Sequence, residues 1–428
     1  MPDTGSSDRR GPALAVLLTA LVAFGPMSTD LYLPALPGMT RALGADVATG
    51  QLTLSVFLAG FAVSQLFYGP LSDRFGRRPV LLAGVAIYVA AGVACALAPT
   101  IEALIGFRFL QALGACAGPV IARAVVRDLW GREGAARVLA YMAMAMALAP
   151  AVGPILGGQL TVAFGWRANF WFLVGFGAVV LAATLALLAE SNRHRDPEAV
   201  RPARLARNYA TLFGHRAYRG YVAVVAFSYS GIFCFISGSS FLFVEVIGLS
   251  PDLYGLCFTA IVVGYMVGSF AAGRLTTRLG IERMIALGTA FQVAGGLAMA
   301  GCAAAGWLGV VPVVGPFFVF MVGAGLTLPN AMAGAVGPFP TMAGLASALL
   351  GFFQMGVAAL VGVAVGRGTE RVFADLAAGA ADGAGADTGR AGLPMALAVA
   401  AVALGAAAAY RLWVRPAVEA AAESGTGD

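Results

Sequence analysis

Two charges stand inside apolar runs where charge is expensive. Asp30 lies in Met27-Ser-Thr-Asp30-Leu-Tyr32-Leu-Pro34-Ala-Leu-Pro37. Arg108 lies in Ile105-Gly-Phe-Arg108-Phe-Leu-Gln111-Ala-Leu-Gly114. An ionisable group in hydrocarbon costs at least a few kcal/mol unless it faces a cavity or a partner. A carboxylate in a partly dry cavity can load and release a proton near neutral pH. The alternative for Asp30 is a hydrated place near the outer surface. Arg108, Gln111 and Ala115 share one helical face. An arginine keeps its proton, so its uses are to hold a carbonyl or an anion, to tune a neighbouring carboxylate, or to make a structural salt bridge. If Arg108 lies beside Asp30, it sets the carboxylate's affinity for protons.

These residues need helices to place them. The chain has 428 residues, 60% hydrophobic and 11% charged, and a mean hydropathy of +0.85. Soluble domains carry roughly 25% charged residues. Apolar runs long enough to cross a bilayer recur along almost the whole length, and a β-barrel would need short alternating strands instead. The expected fold is an all-α membrane protein of twelve transmembrane helices in two six-helix halves. The spans are 13–37, 50–70, 79–98, 101–122, 135–160, 166–190, 219–246, 252–273, 284–304, 311–336, 344–366 and 392–413. The halves are 1–190 and 219–428, joined by a linker at 191–218. The first helix is read as retained, because no small-residue cleavage site follows it.

All 27 basic residues are arginine, and the net charge is +6. The arginines cluster on alternate loops, which places both termini in the cytoplasm. The charge therefore fixes topology and does not indicate nucleic acid. The linker from Arg193 to Arg219 can lie as an interfacial helix on the anionic inner leaflet. The outer segment 366–392 reads as a mobile loop. Cys95, Cys116, Cys234, Cys257 and Cys302 all fall in apolar runs and read as core residues. His194 and His215 are both in the linker. No phosphate-binding Gly-x-x-x-x-Gly-Lys loop appears, and no metal cluster, so neither an enzyme nor a cofactor is expected.

Three further stretches carry pattern. Gly69-Pro-Leu-Ser-Asp73-Arg74-Phe-Gly76-Arg77-Arg78 sits between the second and third spans. Gly69 and Gly76 permit a tight reversal, and Asp73 can accept from an arginine or from a helix N-terminus. Gly273-Arg-Leu-Thr-Thr277-Arg278-Leu-Gly280 repeats its glycine and arginine offsets without the Asp. Ala149-Pro150-Ala-Val-Gly153-Pro154-Ile-Leu-Gly157-Gly158 makes a bendable helix with a smooth face. Polar and aromatic stripes complete the set: Phe57, Phe61, Gln65 and Tyr68; Ser230, Cys234 and Ser237; Thr327, Asn330 and Gly334; Ser347, Gly351 and Gln354. They face lipid, a neighbouring helix, or a cavity that grips apolar molecules. Glu245 is placed at a hydrated rim.

The 69–78 stretch resembles the helix 2–3 loop of the major facilitator superfamily. The 108–114 and 149–158 stretches resemble its helix-4 motif and the helix-5 motif of its drug exporters, with Ala112 and Ala149 in place of glycines. Together with the helix-1 segment and Leu328-Pro-Asn330, the chain is similar to the bicyclomycin/chloramphenicol-resistance (Bcr/CflA) family of drug:proton antiporters. The resemblance implies proton-coupled efflux of small amphipathic compounds across the bacterial inner membrane by a monomer. Proton coupling is expected through Asp30 and Arg108 from their charge in apolar runs, and substrate contacts, where the stripes face a cavity, from Tyr32, Phe57, Phe61, Gln111, Ser230, Phe233, Ser237, Asn330 and Gln354. The resembling loop and helix-5 motifs are expected to carry conformational switching through Gly69, Asp73, Arg74, Gly76, Arg77, Arg78, Pro150, Gly153, Pro154, Gly157 and Gly158. A proton-coupled metabolite exporter or symporter on the same fold, and a non-transporting membrane sensor, are the alternatives.

Overall fold

The computed structural model describes residues 7–130, 132–192, 195–381 and 391–423. Arg193, His194 and Arg390 lie outside them, as does most of the 382–392 stretch. The described chain is helical nearly throughout. Ten of its helices are long and apolar enough to cross a membrane, or eleven if a bent pair at the start is one span.

The first span is broken rather than continuous over 13–37. It runs as α1 (Ser7–Val22), α2 (Phe24–Asp30), a 3₁₀ turn (Leu33–Ala35) and α3 (Leu36–Ala42). The bend is 41°. Each interruption falls at or next to the residue four before a proline: Val22 before Pro26, Asp30 before Pro34, Leu33 before Pro37. Proline has no N–H for that carbonyl, and its ring crowds it.

Next come α4 (Val47–Phe75), α5 (Arg77–Ala96), α6 (Ile101–Leu129), α7 (Arg132–Phe164) and α8 (Arg167–Leu187). Asp46 starts α4 by accepting from Thr49 N at 2.6 Å, and Thr100 starts α6 by accepting from Ala103 N at 3.3 Å. These caps satisfy amides that have no partner within the helix. A short amphipathic helix, α9 (Pro202–Gly214), occupies the linker. After it come α10 (Arg216–Phe241), α11 (Pro251–Ala304), α12 (Val310–Val336), α13 (Ala343–Ala381), α14 (Leu393–Ala409) and α15 (Arg415–Glu423).

At 54 residues, α11 would be roughly 80 Å long if straight. It is not straight. Gly280 has φ 80° and ψ 160°, a conformation open to glycine. Gly264 and Gly268 pack on Phe318 and Val322 of α12, whereas Gly288 and Gly295 pack on Gly323 and Phe320. Rising numbers meet rising numbers in the first arm and falling numbers in the second. The arms are antiparallel, joined at Gly280.

Several spans run on past their expected ends. α4 continues to Phe75, so Gly69 is an interior helical residue with open space around it and makes no reversal. The whole turn is made at Gly76, φ 104°. α13 continues to Ala381, so 366–381 is helix and not a loop. The end of the bundle that carries Arg74, Arg77 and Arg78 is called the arginine-rich end below.

Candidate functional site

Arg108 is fully buried on α6. Its Nη1 donates to Gln111 Oε1 at 2.7 Å and its Nη2 to Ser28 O at 2.9 Å. The guanidinium carbon lies 4.2 Å from the centre of the Phe57 ring and 4.5 Å from that of Tyr32. Cation–π attraction of this kind is worth up to about 2 kcal/mol when desolvated. Tyr32 is fixed in turn by a 3.1 Å hydrogen bond with Thr53 Oγ1. Ser28 Oγ is 2.8 Å from Tyr88 Oη. Arg108 Nε and Gln111 Nε2 have no partner among the described residues.

Asp30 ends α2 and is 3% exposed. It accepts from Thr29 Oγ1 at 3.0 Å. Its backbone faces Gly153 of α7, where an added Cβ would lie 3.4 Å from Asp30 Cβ. The broken first span also packs against α10 and α11. Asp30 therefore stands on a span where α7, α10 and α11 converge. It makes no ion pair with Arg108, whose fork goes to Ser28 instead. The condition under which Arg108 would tune Asp30 as a paired charge is not met in this structure. Two residues of α2 separate the roles, because Ser28 and Asp30 project from different sides of a 3.6-residue turn.

The helix-5 stretch works by absence of side chains. A Cβ on Gly157 would fall on Leu31 O, and one on Gly158 would come within 2.6 Å of Pro251 O. Ala35 N bonds Tyr32 O at 3.0 Å in the 3₁₀ turn, so Leu31 O is left to face α7. From α11, Gly255 approaches Pro154 O to within 2.6 Å of its built Cβ, and Thr259 Oγ1 donates to Ala151 O at 2.8 Å. Pro150 and Pro154 lie inside α7. Thus α7 is clasped by the broken first span on one side and by α11 on the other.

The other expected contacts divide. Phe57 and Phe61 are buried with ring centres 6.3 Å apart. Gln65 fills the space above Gly351 of α13, and Tyr68 Oη reaches the space beside Gly84 of α5. The stripe therefore faces neighbouring helices, not lipid. Phe233 packs over Gly362, and Ser237 Oγ donates to Gln51 Oε1 at 3.2 Å. Ser230 spends its hydroxyl on Ala226 O of its own helix. Asn330 is tied at both ends, donating to Leu326 O at 2.8 Å and accepting from Thr276 Oγ1 at 2.9 Å. It bolts α12 to the repeated stretch 273–280 and keeps one amide N–H and one lone pair outside these two bonds. Gln354 is half-buried on α13. Glu245 pairs with the exposed Arg41 at 3.3 Å, a rim contact.

At the arginine-rich end, Arg77 Nη1 donates to Asp73 Oδ1 at 2.5 Å and its Nε to Asp128 Oδ2 at 3.0 Å. Glu190 caps α5, with Oε1 accepting from Arg77 N at 2.9 Å and Oε2 from Arg78 N at 3.3 Å. Asn192 Nδ2 donates to Asp73 O at 2.9 Å. Arg78 Nη2 donates to Leu185 O at 3.1 Å, while Arg74 lies over the Phe75 ring. Sequence reasoning missed Asp128 and Glu190. The signal was there, since each is a carboxylate at the end of an apolar run on the side where arginines gather. Among the described residues no group of three His, Cys, Asp or Glu could hold a metal ion.

The Major Facilitator Superfamily model matches residues 16–363. The chain belongs to the major facilitator superfamily. It is 32% identical over 356 residues to multidrug resistance protein D of Escherichia coli, covering 81% of this chain and 86% of that one. It is 29% identical to a bicyclomycin resistance protein homolog of Haemophilus influenzae, over 79% of this chain and 84% of that one. It is 31% identical to a chloramphenicol resistance protein of Pseudomonas aeruginosa, over 80% and 81%. The solved D-xylose–proton symporter aligns at TM-score 0.71 with 14% identity, over 91% of this chain and 96% of that one. An inward-facing bacterial homolog of the lysosomal transporter Spinster aligns at 0.68 with 17% identity, over 97% and 98%. The last two show shared fold alone. The protein is a multi-pass transporter of the bacterial inner membrane, related to multidrug and antibiotic resistance proteins.

Proposed function

We propose that this transporter exports small amphipathic drugs, phenicol-like or bicyclomycin-like, in exchange for protons by alternating access. With the two arms of α11 and the bent first span each counted as the sequence expects, the bundle has twelve spans. They form halves 1–190 and 219–428 with both termini in the cytoplasm, and the molecule acts as a monomer. The proton gradient is the energy source and no cofactor takes part.

The observation that carries the reading is Asp30. It is a 3% exposed carboxylate without a basic partner among the described residues, set on a span where helices from both sides of the linker converge. An unpaired buried carboxylate is costly when charged, so it is suited to exchange a proton against a ligand. Arg108 Nε and Gln111 Nε2 supply open donors beside the Phe57 and Tyr32 rings. Those groups suit a flat, mostly apolar molecule with one or two acceptors. Gly76, Asp73, Arg77 and the α7 glycines are then the parts that change between states.

The test is transport in inverted vesicles with an acid interior. The lumen should accumulate chloramphenicol in exchange for protons, and Asp30→Asn should abolish accumulation while the protein stays folded and inserted. Accumulation indifferent to the gradient would remove the antiport. Wild-type accumulation by Asp30→Asn would remove Asp30 as its carboxylate.

A further inference from the structure

Pro70 lies inside α4 and has no N–H to give to the carbonyl four residues earlier, that of Leu66. A half-buried carbonyl left without a donor is costly. This one is not left unpaired. Tyr209 Oη, from α9 of the linker, donates to Leu66 O at 3.0 Å. Burial pushes the Tyr209 phenol up to about 12, so it remains a donor at every pH a cell meets.

One helical turn further along α9, on the same face, Phe213 stacks on Phe353 of α13 with ring centres 5.0 Å apart. Leu212 between them is fully buried. Beneath this crossing, Gln65 of α4 fills the space over Gly351 of α13. The two helices therefore touch at the arginine-rich end, and α9 grips one with Tyr209 and the other with Phe213. Moving α4 away from α13 at this end must break one grip or the other.

We propose that α9 is a latch. The Tyr209 hydroxyl on Leu66 and the Phe213 ring on Phe353 hold α4 and α13 together, and the latch must release before the arginine-rich end can open. Tyr209 is a positioning residue in this sense. It touches no substrate and sets the equilibrium between closed and open forms of one end. The proposal rests on the alternating-access reading for its role in transport, but the closure itself is measurable without a drug.

The experiment places spin labels at Phe75→Cys and Gly344→Cys in a chain freed of its own cysteines, reconstituted in lipid. The distance distribution is read with no drug and no gradient. Loss of one hydrogen bond should raise the population of the long-distance form about two- to tenfold in Tyr209→Phe, and Phe213→Ala should do the same. Pro70→Ala gives Leu66 a helical partner again, so in that background Tyr209→Phe should have much less effect. The distances in Tyr209→Phe and Phe213→Ala remaining as in the parent would overturn the latch. So would an effect of Tyr209→Phe undiminished by Pro70→Ala. Equilibrium chloramphenicol binding read on the same samples should change no more than the population shift requires. Longer distances in a protein that moves no drug would sustain the latch and remove the transport reading.

Discussion

Arg108 is held by what surrounds it rather than by an opposite charge. Its fork spans a backbone carbonyl of the first span and a side-chain amide of its own helix, between two aromatic faces. Removing it leaves Ser28 O buried and empty, and leaves Gln111 Oε1 only the Cys95 thiol at 3.9 Å. Arg108→Ala should therefore destabilise by about 2–4 kcal/mol. Arg108→Lys should recover only part of that loss, because a point charge cannot reach both acceptors while stacked. Thermal unfolding in detergent reads both. A second consequence follows from the missing pair with Asp30. The midpoint of the pH profile for drug binding, which the proposed exchange assigns to Asp30, should stay in place in Arg108→Gln, which removes the charge. A midpoint that moves by a full pH unit would bring the two charges back into direct contact. Asp30 and Arg108 were both legible in the sequence, because charge in an apolar run stands out. Their separation was not legible, because it depends on which side of a broken helix each residue leaves.

At the scale of elements, the prolines of the first span and the glycines of α7 explain each other. Pro34 and Pro37 force the 3₁₀ turn, the turn releases Leu31 O, and Gly157 makes room for it. A graded series should follow. Gly153→Ala places a Cβ 3.4 Å from Asp30 Cβ, an ordinary contact, and should be tolerated. Gly157→Ala drives a Cβ into the Leu31 carbonyl and should cost about 1–3 kcal/mol, with transport lost or nearly so. Equal melting temperatures for the two variants would show that α7 moves freely past the first span. The sequence displayed this stretch as a packing helix, and its partners came only with the fold. The same holds for Asn330, which had the spacing of a site residue. Its amide makes one bond each with Thr276 and Leu326, and nothing in a helical period tells which neighbours a polar group meets.

At the scale of the whole molecule, the arginine-rich end carries two kinds of fastening. One is electrostatic and binds α4, α5, α6 and the start of the linker to one another through Asp73, Arg77, Asp128 and Glu190. The other is the α9 crossing, which reaches α13. They share a link, because Asp196 N donates to Asp73 O at 3.1 Å and Arg204 of α9 pairs with Asp196 at 2.7 Å. The glycine and arginine spacing of 69–78 announced that something is organised there. The carboxylates that complete it lie 50 and more residues away in sequence, where only the packed bundle brings them near. The Asp73 side chain is 46% exposed, so its pair with Arg77 is screened by water and worth at most about 1 kcal/mol. Asp73→Asn should accordingly leave the melting temperature almost unchanged. Its effect should fall on the rate at which the molecule passes between states, since Arg77 then keeps Asp128 as its one ionic partner, with Ser72 Oγ still accepting from Nη1 at 2.6 Å, while the backbone ties of residue 73 persist. Glu190→Gln offers the contrast. It removes a full charge from the N-terminus of α5, where the helix dipole favours a carboxylate by about 0.3–1 kcal/mol, and it weakens two backbone bonds at once. Glu190→Gln should therefore lower the melting temperature measurably. The pair of measurements is thermal unfolding alongside drug exchange at saturating chloramphenicol, with equilibrium affinity read separately. Asp73→Asn should slow exchange several-fold at constant affinity and constant stability. A proportional loss of affinity and rate in Asp73→Asn would place the residue's effect on the binding site itself, and the fastening at this end would have no separate part in the cycle.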